Sequence, residues 1–139
     1  MIVRLNLIEN MKISGKNSKE QETLFDTSII GGGNESAASP MEILLQAMGA
    51  CSLMDVVSIL RKKRINIEDL HVEIEGTRAN EHPKVFTKVH LKYFLKSPNA
   101  EINDLVRSIE LSQTKYCGAS AMFQRSGCEV TYEGFILTD

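Results

Sequence analysis

The sequence predicts an α+β fold, and three observations point there. Apolar and polar residues alternate in short stretches within positions 2–28 and again within 70–95, the period of strands. Between them, Ser39–Leu60 is one long apolar run opened by a helix start signal. Strand and helix patterns come in blocks rather than one by one, which separates α+β from α/β chains.

Val3, Leu5 and Leu7 alternate with Arg4 and Asn6, as in a half-buried strand, and Glu9-Asn10 reads as a tight turn. Met11 and Ile13 flank Lys12 in a short second strand, Gly15–Glu20 is polar and turn-like, and Thr23–Ser28 completes a meander. Gly31-Gly32-Gly33-Asn34-Glu35-Ser36 reads as a mobile linker, because it lacks the Gly-Lys-Ser/Thr ending of a phosphate loop.

Ser39-Pro40-Met41-Glu42 starts the long helix: Ser39 caps, Pro40 suits the first helical position, and Glu42 completes a capping box. The helix runs to about Arg61, where Arg61-Lys62-Lys63-Arg64 sets cations on the negative end of its dipole. Ile43, Leu44, Ala47, Met48, Cys51, Met54, Val57 and Leu60 leave little polar surface, which predicts burial nearly all round. The run has the length of a membrane span, but Glu42, Gln46 and Asp55 interrupt it, so protein rather than lipid is the expected cover. The small residues Gly49-Ala50-Cys51-Ser52 would let another helix or a partner subunit approach closely.

A long hairpin follows. Leu70, Val72 and Ile74 face one way, and His71, Glu73 and Glu75 the other. After a turn at 79–83, Val85, Thr87, Val89, Leu91, Tyr93 and Leu95 alternate with Lys88, His90, Lys92 and Lys96. Ser97-Pro98 opens a second helix striped by Ile102, Leu105, Val106 and Ile109. It fades at 112–115, Cys117-Gly118 interrupts, Ala119–Arg125 continues as a short helix, and Gly127 ends it. Glu129–Leu137 is the final strand.

At 139 residues the chain makes one domain, with 42% hydrophobic and 24% charged residues. A net charge of −2 gives no basic excess to draw nucleic acid or an anionic membrane. Met1–Asn10 shows no charged segment followed by an apolar one, so no signal peptide is expected. Three cysteines without such a signal point to the cytoplasm, where a functional thiol is catalytic or redox-active rather than a permanent staple.

Cys51 sits among Ala47, Met48, Met54 and Asp55, a shell that disfavours a thiolate through burial and a nearby carboxylate. On local grounds it reads as a core cysteine unless a positive charge or donors arrive from elsewhere. Cys117, at the start of a short helix and close to Lys115, has better local chemistry for a thiolate, against the alternative of a plain helix-cap cysteine. Cys128 reads as structural. His71, His82 and His90 fall on solvated strand faces or in the turn, and no Cys or His pair has metal-ligand spacing, so neither metal nor cofactor is expected. Glu42 is nine residues before Cys51. That is roughly 180° around the helix and about 13 Å along it, so the two cannot meet across their own helix.

Ser39-Pro40-Met41-Glu42 leading to Leu44-Leu45 and Gly49-Ala50-Cys51, then Asp55–Leu60, then Lys115-Tyr116-Cys117, resembles the OsmC/Ohr family of osmotically inducible and organic hydroperoxide resistance proteins, in its OsmC-like subgroup. The resemblance covers nearly the whole chain as a single domain, residues 1–139. It implies an intertwined homodimer with long central helices flanked by antiparallel sheets, and N-terminal strands pairing across subunits. It also implies a thiol peroxidase in which Cys51 attacks an organic hydroperoxide, Cys117 condenses with the resulting sulfenic acid to a disulfide, and a dithiol reductant resets the pair. Peroxidase members place an Arg beside the reactive sulfur, oriented by a Glu directly after the Pro. Here Met41 follows Pro40 and Glu42 comes one later, and Arg4 is the only Arg before the helix. Two alternatives therefore stand beside peroxidase activity. One is a pocket for a small hydrophobic molecule without turnover, and the other is a redox sensor.

Overall fold

Six strands and three helices are laid down in the order β1 (Val3–Glu9), β2 (Lys12–Asn17), β3 (Glu22–Phe25), α1 (Pro40–Lys62), β4 (Asp69–Arg78), β5 (Phe86–Lys96), α2 (Ile102–Leu111), α3 (Gly118–Arg125) and β6 (Glu129–Ile136). A π-helical turn, Ser112–Tyr116, joins α2 to α3. The structure is a computed structural model that describes residues 1–138. The α+β class is borne out: two three-stranded sheets are ordered β1-β2-β3 and β4-β5-β6. The chain divides into two compact units, Met1–Leu44 and Leu45–Asp139.

The first unit holds the meander, with both strand pairs antiparallel. β2 is longer than its residue types suggest. It is the central strand, and Ser14, Gly15 and Lys16 each pair on both sides, which outweighs their weak strand preference. The turn is displaced to Asn17, whose Oδ1 accepts the N–H groups of Lys19 and Gln21 at 3.0 Å each. β1 alternates as expected but is not half-buried. It is an edge strand, and all seven residues are exposed, including Val3, Leu5 and Leu7.

The glycine-rich loop is not the free linker its composition suggests. It is folded around Asp26, which is 3% exposed. The Asp26 carboxylate accepts the Thr27 N–H at 2.8 Å, the Ser36 N–H at 3.0 Å and the Ser36 hydroxyl at 2.5 Å. A Cβ at Gly33 would lie 2.4 Å from the Thr27 carbonyl oxygen and 2.6 Å from Asp26 Oδ1, so only glycine fits there. Asn10, at the β1–β2 turn, donates to the Gly32 carbonyl at 2.8 Å.

The hydroxyl and N–H donors hold Asp26 at a pKa of about 2, below its ordinary 3.8. A depressed carboxylate pKa adds stability that is complete above the unfolded-state value and is lost as pH falls through the folded one. Asp26 therefore contributes fully above about pH 4 and loses its contribution down to about pH 2. Urea unfolding across that window should show stability falling in the wild type, with a shallower fall in Asp26→Asn, which starts lower at neutral pH. Parallel profiles would refute the role.

α1 begins as its sequence signal requires. Glu42 Oε1 accepts from the Ser39 hydroxyl at 2.7 Å and the Ser39 N–H at 3.1 Å, and the Glu42 N–H donates to Ser39 Oγ at 3.3 Å. The Ser39 donors lower the Glu42 pKa. At the other end Ile65 N–H bonds the Leu60 carbonyl and Arg64 N–H the Arg61 carbonyl, a Schellman closure with Arg64 at φ 61° where glycine is usual.

In the second unit only one stripe of α1 is buried: Met48, Gly49, Ser52, Val56 and Leu60. The expectation of all-round burial fails. Met54 is 71% exposed, and Ala47 and Ala50 are also exposed, because a single layer covers the helix within the unit. That layer is the inner face of the second sheet together with the segment around Ser112–Cys117. A Cβ at Gly49 would sit 2.5 Å from Ile74 Cδ1, so at Gly49 the small patch admits a strand side chain, while Ala50 stays exposed. α1 is also long and apolar enough to cross a membrane, a property that core helices share.

β4 and β5 are antiparallel with Glu73 opposite Lys92 and His71 opposite Phe94. β6 differs from the expected antiparallel arrangement: it pairs parallel to β5. Parallel neighbours need a crossover, which α2 and α3 supply. Leu91, Tyr93 and Leu95 of β5 and Leu105 of α2 are fully buried, Ile109 nearly so, and together they form the core. α2 starts at Ile102, not at Ser97-Pro98. Asp104 accepts the Glu101 N–H at 2.9 Å and so caps the helix. Asn99 is withheld from it, accepting the Asn66 N–H at 2.9 Å and the Ser97 hydroxyl at 3.1 Å.

Candidate active site

Cys51 lies mid-way along α1, half-buried, and Cys117 is the N-cap of α3, 3% exposed. The π-helical turn determines where Cys117 points. Its N–H donates to the Ser112 carbonyl at 2.8 Å, closing the wide turn before α3 begins at Gly118. The Cys117 thiol then faces α1, where it lies 4.0 Å from the Met48 carbonyl oxygen and is the donor. The Ser120 N–H donates to its sulfur at 3.3 Å. Cys51 is near enough to Cys117 to help raise its pKa. The fold thus brings together the two thiols that the sequence singled out, and all three cysteines are free.

The electrostatics of Cys117 reverse the sequence expectation. Its sulfur does sit at the positive end of a helix, yet its pKa is raised. Burial is the largest cause; the Ser120 hydroxyl and N–H oppose it, and Cys51 adds to it. Lys115 does not serve the sulfur. Its Nζ sits over the Tyr116 ring, 5.2 Å from the centroid. Among the described residues no lysine or arginine donates a hydrogen bond to the Cys117 thiol.

Behind the thiols is a buried polar network absent from the sequence reading. Ser52 Oγ shares hydrogen bonds with Tyr93 Oη at 2.5 Å and with Ser112 Oγ at 2.8 Å. Ser112 Oγ donates to Asp55 Oδ2 at 3.0 Å, and Gln113 Nε2 donates to Tyr93 Oη at 2.9 Å. Each hydroxyl has one proton, which fixes the direction. Tyr93 donates to Ser52, Ser52 to Ser112, and Ser112 to the Asp55 carboxylate. Burial raises the Tyr93 pKa despite its bonds to Ser52 and Gln113, with Cys117 and Asp55 adding to the rise. Gln113 Oε1 and the Ser120 hydroxyl are buried without a partner. The available sequence signal was a polar residue inside an apolar stripe, Ser52 beside Cys51, and the serines at 112 and 120 flanking Cys117.

Cys128 is buried at the mouth of β6, where its thiol approaches the Glu129 carbonyl at 3.8 Å. The histidines lie where expected. His71 stacks on Phe94 with centroids 4.9 Å apart, and His90 bridges Thr131 at 2.6 Å and Glu133 at 2.9 Å on the outer sheet face. Among the described residues no group of three or more His, Cys, Asp or Glu side chains is placed to hold a metal ion.

A family profile described as OsmC-like protein matches residues 32–133. Protein YhfA of Escherichia coli strain K12 is 32% identical over 126 residues, 91% of each chain. A hypothetical protein from Aquifex aeolicus VF5 superposes with a TM-score of 0.81 at 30% identity, over 99% of this chain and 97% of the other. An OsmC-like protein from Mycoplasma pneumoniae superposes with a TM-score of 0.82 at 18% identity, over 99% and 96%, a likeness of fold. Matched over most of its length in sequence and nearly all of it in fold, the chain belongs to the OsmC-like protein family.

Proposed function

We propose that the chain is a two-cysteine thiol peroxidase for organic hydroperoxides, acting as a cytoplasmic homodimer. The observation that carries this reading is the meeting of Cys51 and Cys117 from distant parts of the chain. Cys51 is the more exposed and takes the peroxide. Its thiolate attacks one peroxide oxygen, the O–O bond breaks, and the alcohol leaves with a proton. Cys117 then attacks the sulfenic acid sulfur; the S–S bond forms, the S–O bond breaks, and water departs. A dithiol reductant exchanges with the disulfide and restores both thiols.

The apolar side chains beside Cys51 favour a lipophilic peroxide. A groove of about 770 Å³ runs along the exposed face of α1, lined by Ala50, Leu53, Met54, Val57, Ser58, Arg61 and Lys62. With the uncovered edge strand β1, it suits the intertwined dimer implied by the family. On this reading the cation that activates Cys51 comes from elsewhere in that dimer.

The raised pKa of Cys117 favours one second reading, a redox sensor whose disulfide closes slowly. Consumption of cumene hydroperoxide with a dithiol reductant separates the two, comparing wild type with Cys51→Ser and Cys117→Ser. Turnover lost in both variants supports the peroxidase. Two thiols lost per chain with negligible wild-type turnover supports the sensor. Equal and appreciable rates in all three proteins, or negligible rates with no thiol lost, reject both.

A further inference from the structure

We propose that Ser120 is the residue that stabilises the Cys117 thiolate, its hydroxyl and N–H forming a two-donor cradle for that sulfur. The assignment rests on the dithiol reading above and gives one residue a role in it. Ser120 is fully buried, and its hydroxyl lies near enough to the Cys117 sulfur to favour the thiolate, yet it completes no hydrogen bond in the reduced protein, while its N–H already reaches that sulfur at 3.3 Å. A buried hydroxyl without a partner costs stability, and a serine kept for the fold alone would be bonded to it.

The thiol explains why the hydroxyl is idle. In the reduced form the Cys117 S–H is itself the donor, pointed at the Met48 carbonyl. When that proton leaves, the carbonyl becomes a repulsive neighbour and the sulfur becomes a strong acceptor. The Ser120 hydroxyl, on the first turn of α3, is then the donor that turns to it. The same contact serves twice in the cycle: it favours the Cys117 thiolate that attacks the Cys51 sulfenic acid, and the Cys117 thiolate that leaves when the reductant attacks Cys51. The groups facing Cys117 agree with this role. Burial and Cys51 oppose its ionisation, and the two Ser120 donors favour it.

The test titrates Cys117 alone, by thiolate ultraviolet absorbance, in full-length protein carrying Cys51→Ser and Cys128→Ser. Removing a hydrogen bond to a charged group should raise the Cys117 pKa by about one to two units in Ser120→Ala. Ser120→Thr, which keeps the hydroxyl, should restore it. With Cys51 and Cys117 present, disulfide closure after one equivalent of cumene hydroperoxide should slow about three- to tenfold in Ser120→Ala. The slowing is smaller than the loss of thiolate because a more basic thiolate is a better nucleophile. The reduced Ser120→Ala protein should be at least as stable to urea as wild type, since an unpartnered hydroxyl has gone. An unchanged pKa, or an alanine variant that fails to fold, overturns the assignment. The titration does not need peroxide: if wild type ignores hydroperoxides while Ser120→Ala still shifts Cys117, the peroxidase reading falls and the role of Ser120 stands.

Discussion

Replacing Cys51 with serine should abolish hydroperoxide consumption, with a loss on the order of a thousandfold or more, because a hydroxyl supplies almost no anion where a thiolate is the nucleophile. Cys117→Ser should behave differently. Its Cys51 still meets peroxide once, so one equivalent is consumed in a burst, but the sulfenic acid has no neighbour to condense with and turnover with a dithiol stops. A rapid-mixing assay with cumene hydroperoxide reads both the burst and the steady rate. The contrast follows from position: Cys51 is half-open on α1, whereas Cys117 is closed under the cap of α3 with its thiol toward Met48. A burst retained by Cys51→Ser and lost by Cys117→Ser would exchange the two roles.

Tyr93→Ala should be the most damaging change in the second unit. Tyr93 is fully buried in the central strand of its sheet, and truncating a buried aromatic costs about 3–5 kcal/mol. Domains of this size are stable by about 5–15 kcal/mol, so the variant should be largely unfolded at moderate urea. Tyr93→Phe separates the ring from its hydroxyl. The ring stays, but Ser52 loses one of its two donors and Gln113 Nε2 one of its acceptors, for about 1–3 kcal/mol. The network that is cut leads through Ser52 to Ser112, whose carbonyl holds the Cys117 N–H. Urea unfolding of the two variants beside wild type gives both costs. A Tyr93→Phe protein as stable as wild type would show that the network does not hold the π-helical turn in place.

The parts of the fold that local chemistry specifies were legible in the residues. Ser39, Pro40 and Glu42 set the start of α1 to the residue, and Gly127, at φ 90°, closes α3 as its type suggests. What failed depended on context. Ser97-Pro98 repeats the Ser-Pro signal, but Asn99 is drawn to Asn66 and the helix waits for Asp104. Gly31-Gly32-Gly33 reads as a free linker only while Asp26 is unseen at its centre. The apolar faces of β1 and α1 mark surfaces that want cover, and their patterns alone cannot say whether the cover is the same chain. At the site, the two thiols could be named from sequence but their meeting could not. It depends on a π-helical turn that residues 112–116 do not announce, and on serines at 52, 112 and 120 that look like ordinary small residues.

On the proposed reading, Cys51 and Cys117 are a working pair. Peptide mapping by mass spectrometry, after one equivalent of cumene hydroperoxide and alkylation of the remaining thiols, tests it most directly. The expected product is a single new link between the peptides carrying Cys51 and Cys117, two hydrogens lighter than the reduced pair, with Cys128 alkylated. A link through Cys128, or Cys51 and Cys117 both recovered as alkylated thiols, would contradict it.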